Sequence, residues 1–189
     1  MAASTFKTNP IDLIELLEDC HRGKLQLPDF QRSWVWDEDR IKSLIASISR
    51  PFPVGALMAL DTGGDVNFKP RPVEGAPVEA KNATPQSLLL DGQQRMTSLY
   101  QVTLRNKVVE TVTPKNKKVK RWFYIDIRKA LDPMIDREEA IVGVPEDKII
   151  RTDFGRDVSL DLSAPTKEYA ALMYPLTQVF DWEDRKSVV

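Results

Sequence analysis

The chain has 189 residues, 42% hydrophobic and 29% charged, and its 27 Lys+Arg against 28 Asp+Glu leave a net charge of -1. A chain of this size buries roughly 70% of the surface it exposes when unfolded, enough for a core without disulfide or metal staples. Cys20 and His21 are the only cysteine and histidine, which excludes an intrachain disulfide, His/Cys zinc sites and Ser-His-Asp or Cys-His catalysis. No apolar run approaches the roughly 20 residues of a membrane helix and the start has no signal-peptide core, so a cytoplasmic protein without membrane contact is expected.

Asn9-Pro10 ahead of Ile11, Leu13, Ile14, Leu16 and Leu17 predicts a capped amphipathic helix that stops near His21-Arg22-Gly23. Lys24–Leu27 alternates as a short strand and runs into Pro28-Asp29-Phe30-Gln31-Arg32-Ser33-Trp34-Val35-Trp36. Trp34 and Trp36 flank Val35 and face one side together if the segment is extended, which favours core packing over base stacking. Asp37, with Glu38 and Asp39 in the first turn, caps a second helix carrying Ile41, Leu44, Ile45 and Ile48, ended by Pro51 and Pro53, and Val54–Leu60 follows as a strand. Residues 61–86, rich in Pro and Gly, predict a surface loop or insertion. Asp65 with Glu79 and Lys81 imitates a nuclease carboxylate set, but on a stretch too irregular to hold one rigidly.

Ser87-Leu88-Leu89-Leu90 predicts a buried strand, turned at Asp91-Gly92 into a helix with Met96, Leu99, Tyr100 and Val102 on its inner face. A glycine turn into a helix N-terminus presents unpaired N–H groups to an anion. Arg95 in the first turn opposes the helix dipole and so points to a phosphate or a nearby carboxylate. Gln93 and Gln94 can hold a water or a base edge but cannot act as bases, and Asp91 is a single carboxylate for Mg2+. The same residues also have a purely structural reading, with Asp91 capping the helix and the glutamines and Arg95 tied into an internal network. Gln31-Arg32 repeats the Gln-Arg pairing after a strand, so two such turns can converge on one anion, and phosphoryl transfer needs little beyond cations, Mg2+ and an oriented water. There is no Gly-x-x-x-x-Gly-Lys-Ser/Thr and no Gly-x-Gly-x-x-Gly.

Charge is segregated. Residues 105–129 carry nine positive side chains against Glu110 and Asp126, while residues 130–189 carry seven against 13. Lys107–Val112 and Val119–Ile127 predict a hairpin, and its cations Lys115, Lys117, Lys118, Lys120 and Arg121 form a candidate DNA-binding set beside Trp122, Phe123 and Tyr124. Short strands are expected at Ile141–Val144 and Ile149-Ile150. The last 40 residues are poorly patterned, and a new helix begins at Trp182-Glu183-Asp184, as in the N-terminal part of a longer protein.

Leu27-Pro28-Asp29-Phe30-Gln31-Arg32-Ser33-Trp34-Val35-Trp36, Pro53-Val54-Gly55 and Leu90-Asp91-Gly92-Gln93-Gln94-Arg95-Met96-Thr97-Ser98-Leu99, in this order, resemble the N-terminal domain of GmrSD-type restriction enzymes. The resemblance implies a single compact α+β domain of the ParB/sulfiredoxin type, a mixed sheet flanked by helices. It implies that Asp91, Gly92, Gln93, Gln94 and Arg95 form the nucleotide-binding and hydrolytic motif, with Asp91 on Mg2+ and Thr97 in the nucleotide-binding set. Gln31-Arg32 is then the facing turn. The function so implied is an NTP-binding and NTP-hydrolysing regulatory domain of a DNA-targeting anti-phage restriction system, partnered by modified duplex DNA and a downstream or separate nuclease domain. Cleavage by these 189 residues is not expected. The alternative is a non-catalytic DNA-binding or docking module built on the hairpin.

Overall fold

The computed structural model describes residues 11–50, 52–64, 68–113 and 115–181. Helix α1, Leu13–Arg22, buries Leu17 and Cys20 and ends at Gly23, φ +74°; a Cβ there would stand 2.4 Å from the Ala80 carbonyl oxygen, so only glycine fits. The helix is preceded by Asp12 as its N-cap, and Asn9-Pro10 lies outside the described residues. Strand β1, Leu25–Pro28, is buried along its whole length rather than on alternate faces. Its one polar residue, Gln26, donates its amide to the carbonyls of Gly23, Ala80 and Ala83, which makes that burial affordable.

Asp37 caps α2, Glu38–Ser49, by accepting the Arg40 N–H at 2.9 Å, and the helix buries Ile41, Leu44, Ile45 and Ala46. Of the strand predicted over Val54–Leu60 only the end from Met58 forms, within β2, Met58–Asp61. The preceding carbonyls of Val54 and Ala56 turn instead to the Arg95 guanidinium, so no sheet partner can use them. The stretch 61–86 is less superficial than its composition predicts. It supplies β3, Pro70–Arg71, and buries Val73 and Ala80.

Strand β4, Ser87–Asp91, runs parallel to β1 and antiparallel to β2, giving a mixed sheet of order β2-β4-β1-β3. Gly92 leads from β4 into α3, Gln93–Leu99, which continues as a wider turn over Tyr100–Leu104. Leu17, Leu27, Ile41, Leu89, Met96 and Tyr100 lie in the core between this sheet and helices α1 to α3.

The hairpin forms as β5, Val109–Val112, and β6, Lys118–Asp126, turning through Asn116 at φ +58°. Along β6, β7 (Ile141–Pro145) pairs as well, and so does β10 (Met173–Pro175). Asp126 caps the short α4, Ile127–Leu131. The expected strands at 141 and 149 are β7 and β8 (Ile149–Thr152), and the poorly patterned end adds β9 (Asp157–Asp161) and α5 (Pro165–Ala171). A satellite core of Tyr124, Val144, Leu162 and Met173 sits here. Tyr124 donates its hydroxyl to buried Glu168 at 2.7 Å, which Lys148 approaches at 3.2 Å; burial first, then that bond, holds the phenol well above its ordinary range. Residues 182–189, where a helix is expected, lie outside the described residues, and no described helix is long and apolar enough to cross a membrane.

Candidate functional site

Because β1 and β4 are parallel neighbours, their C-terminal ends emerge on the same side, and the turns that follow them meet. Phe30, Arg32 and Trp36 from one turn and Asp91, Gly92 and Gln93 from the other line a cleft of about 430 Å3. Gly92 has φ +90°, and a Cβ on it would stand 2.3 Å from Leu57 Cδ2. The positive φ is what favours glycine here, since the Leu57 methyl is the end of an exposed side chain that can move aside.

The polar side chains of the two motifs are largely spent on joining them. Gln31 Nε2 donates to the carbonyls of Leu89 and Leu90 at 2.8 and 2.9 Å. In return Gln93 Nε2 donates to the Arg32 carbonyl at 2.6 Å, while Gln94 donates to Ser33 and accepts the Val35 N–H at 3.0 Å. Arg95 donates to the carbonyls of Val54 and Ala56 and reaches Asp91 Oδ2 at 3.3 Å. For Gln31, Gln94 and Arg95 the structural reading thus describes what is seen. Asp91 does not cap α3, since Gly92 holds that position.

Among the described residues Arg32, Asp91 and Gln93 keep groups for a ligand, and Gln31 Oε1 is buried without a partner. Arg32 is exposed, and its guanidinium makes no hydrogen bond or ion pair with a described residue. Asp91 keeps a side chain that is 69% exposed, and Gln93 keeps its Oε1 acceptor unengaged. Thr97 is fully buried with its hydroxyl unpartnered and is not part of the cleft lining, so its side chain faces the core rather than a nucleotide.

Among the described residues no three His, Cys, Asp or Glu cluster to hold a metal. Asp91 alone fits the manner in which Mg2+ is bound beside phosphates, through one or two carboxylates with the rest of its shell from phosphate and water. Asp65 lies outside the described residues, and Glu79 and Lys81 occupy a single 3-10 turn.

Sequence reasoning missed the buttress behind the Gln31-Arg32 turn. Arg71 donates to the carbonyls of both residues at 3.1 Å, and Glu74 accepts from Arg71 and from the Trp34 N–H. Nothing local marks these two residues in a Pro/Gly-rich stretch. Trp34 and Trp36 pack on the core, and Trp34 Nε1 donates to Ser98.

The five hairpin cations separate into two groups. Lys115, Lys117 and Lys118 are exposed and make no ion pair among the described residues. Lys120 pairs with Glu146 and Arg121 with Glu38, both at 2.9 Å, and the hydrogen bond that Lys120 donates to Glu146 raises the lysine above its ordinary value. Between the hairpin and the Trp34–Trp36 segment lies a second and larger cleft, about 840 Å3, that the sequence does not announce.

The family described as GmrSD restriction endonuclease, N-terminal domain, matches residues 13–176, a span that includes both turns and the hairpin. A protein of Methanocaldococcus jannaschii described only as uncharacterized protein MJ0686 is 32% identical over 130 residues, covering 66% of this chain and 22% of that protein. The chain thus spans about a fifth of the length of the curated relative it matches. No solved structure matches it.

Proposed function

The chain belongs to the family of GmrSD restriction endonuclease N-terminal domains, and from that premise we propose that it binds a nucleoside triphosphate in the cleft between the two Gln-Arg turns and hydrolyses it, as the regulatory domain of a DNA-targeting anti-phage system. The observation that carries the reading is the convergence itself. Two Gln-Arg motifs about 60 residues apart line one cleft of about 430 Å3, in which the Arg32 guanidinium has no partner among the described residues and the Asp91 carboxylate, bonded to Arg95 through Oδ2, stays 69% exposed. Arg32 is the cation for the phosphates. Gly92 lets them approach the backbone closely. Gln93 Oε1 orients the attacking water, and Asp91 holds Mg2+, which when bound neutralises charge on the phosphoryl group being transferred. Arg95 is a positioning residue in this reading: it fixes Asp91 and the Val54–Ala56 loop around the cleft.

The test is phosphate release from each of the four nucleoside triphosphates with Mg2+, with and without duplex DNA, by the parent and by Arg32→Ala. Because the Arg32 side chain makes no hydrogen bond or ion pair with a described residue, its loss should leave the melting temperature unchanged and weaken nucleotide binding roughly 10- to 150-fold, the worth of one charged hydrogen bond to phosphate. Unchanged affinity and turnover in Arg32→Ala would overturn the assignment.

A second reading rests on a different observation, the three unpaired lysines at the hairpin turn. They make a DNA-contacting surface, and one domain can carry both ligands.

A further inference from the structure

The larger cleft has walls of two kinds. One is the segment Trp34-Val35-Trp36; the other is the β5–β6 hairpin, from which Glu110, Asn116 and Lys118 reach the cleft. The walls are tied together where they meet, because Thr111 Oγ1 donates to the Trp36 carbonyl at 2.7 Å and Asp37 bridges Val112 in parallel fashion. At about 840 Å3 the space is within the roughly 300–1,000 Å3 of sites that enclose a small molecule.

Two of its charged side chains, Glu110 and Lys118, are not consumed by the fold. Glu110 stands opposite Lys120 in the strand register and is attracted to its ammonium, but Lys120 is hydrogen-bonded to Glu146, and the Glu110 side chain makes neither hydrogen bond nor ion pair with a described residue. Lys118 is likewise unpaired, whereas Arg121 is committed to Glu38. Two half-buried indoles that also pack on the core, an amide, a carboxylate without a hydrogen bond and an ammonium without an ion pair among the described residues are complementary to one chemical class. Flat aromatic surface suits a base, a carboxylate accepts from its exocyclic amino group, and an ammonium suits the attached phosphate.

We propose that this cleft is a nucleobase site, holding a base with its phosphate against the Trp34–Trp36 segment, its amino edge toward Glu110 and its phosphate toward Lys118. The base comes either from an unpaired position in a nucleic-acid strand or from a free nucleotide. The inference builds on the hairpin as a nucleic-acid surface and is independent of turnover in the smaller cleft.

The experiment titrates the chain with an oligo-deoxycytidylate, an oligo-thymidylate, a blunt duplex and CMP, reading tryptophan fluorescence and the anisotropy of labelled strands. The cytidylate should quench fluorescence and bind at least about fivefold more tightly than the thymidylate, which has no amino group to offer. Glu110→Ala should abolish that preference, and Lys118→Glu should weaken both strands about tenfold. Both side chains are exposed and unpaired, so the variants should keep the parent's melting temperature. Quenching by CMP as strong as by the strand assigns the site to free nucleotides, and quenching by the strand alone assigns it to nucleic acid. No quenching by any probe, equal quenching by the blunt duplex, or a cytidylate preference that survives Glu110→Ala would overturn the proposal. Binding without quenching or base preference that Lys115→Glu and Lys117→Glu weaken would overturn it too, while leaving the hairpin reading intact.

Discussion

A guanidinium in the first turn of a helix opposes the macrodipole unless an acceptor answers it. Arg95 is answered three times, by the carbonyls of Val54 and Ala56 and by the Asp91 carboxylate, with only 19% of its side chain exposed. Arg95→Ala should therefore cost about 2–3 kcal/mol in urea unfolding, since it leaves carbonyls behind without their charged donor. Its effect on nucleotide binding would come with that loss, whereas Arg32→Ala should separate the two. A destabilisation within about 0.5 kcal/mol, the range of a plain surface substitution, would show that the clamp is dispensable. Burial acts on two further residues. It pushes the Cys20 thiol up to about 12 from 9.0 and, as the main cause, the Tyr100 phenol up to about 12 from 10.0. Both are neutral when protonated, so the folded state binds these protons more tightly than the unfolded state does. Stability should be full below about pH 9 and fall as pH rises toward 12, by at most about 1.4 kcal/mol per pH unit for each group. Cys20→Ala should make the alkaline fall in the urea midpoint shallower, and an unchanged slope would refute the assignment to the thiol.

At the level of elements, the hairpin separates charges that hold the fold from charges that are free to bind. Arg121 joins β6 to Glu38 at the start of α2, with both side chains mostly buried, so Arg121→Ala should destabilise by about 1–3 kcal/mol and leave the salt dependence of DNA binding almost unchanged. Lys117→Glu should do the reverse, lowering the log–log salt slope by about one unit per lost phosphate contact at constant stability. A flat salt dependence in the parent would remove the hairpin from DNA binding altogether. What the sequence made legible among these elements is what its neighbours along the chain determine. The Asp37 cap, the Ser87–Asp91 strand with its Gly92 turn, and the hairpin around Asn116 all follow from local pattern. What it hid depends on distant partners. Val54–Leu57 has strand-like residues, yet its carbonyls face an arginine some 40 positions on. Val73 and Ala80 are buried from a stretch with a surface composition. At the site, the residue types were legible but not their engagement: Gln31 and Gln94 hold backbone, Thr97 faces the core, and Arg32 alone of the two arginines is free.

Across the whole molecule, the segment 31–37 is a strap between the two clefts, and Trp36 lines both. On one side Gln93 and Gln94 hold it by the carbonyls of Arg32 and Ser33, residues that would have to adjust to phosphate arriving between the turns. On the other, Thr111 holds the Trp36 carbonyl and Asp37 bridges Val112. A displacement of the strap by a nucleotide would therefore reach the hairpin through the Thr111 hydrogen bond and the Asp37 bridge. If the strap carries free energy between the clefts, nucleotide must change oligonucleotide affinity by some factor, typically about 5- to 150-fold, and oligonucleotide must change nucleotide affinity by the same factor. Anisotropy titrations of each ligand with the other absent and saturating give that factor from both directions. Thr111→Val keeps the side-chain shape and removes the hydroxyl, so it should bring the factor toward one while each ligand alone binds nearly as before. A factor that persists in Thr111→Val would place the coupling on the Asp37 bridge or elsewhere, and a factor of one in the parent would mean that the two clefts act independently.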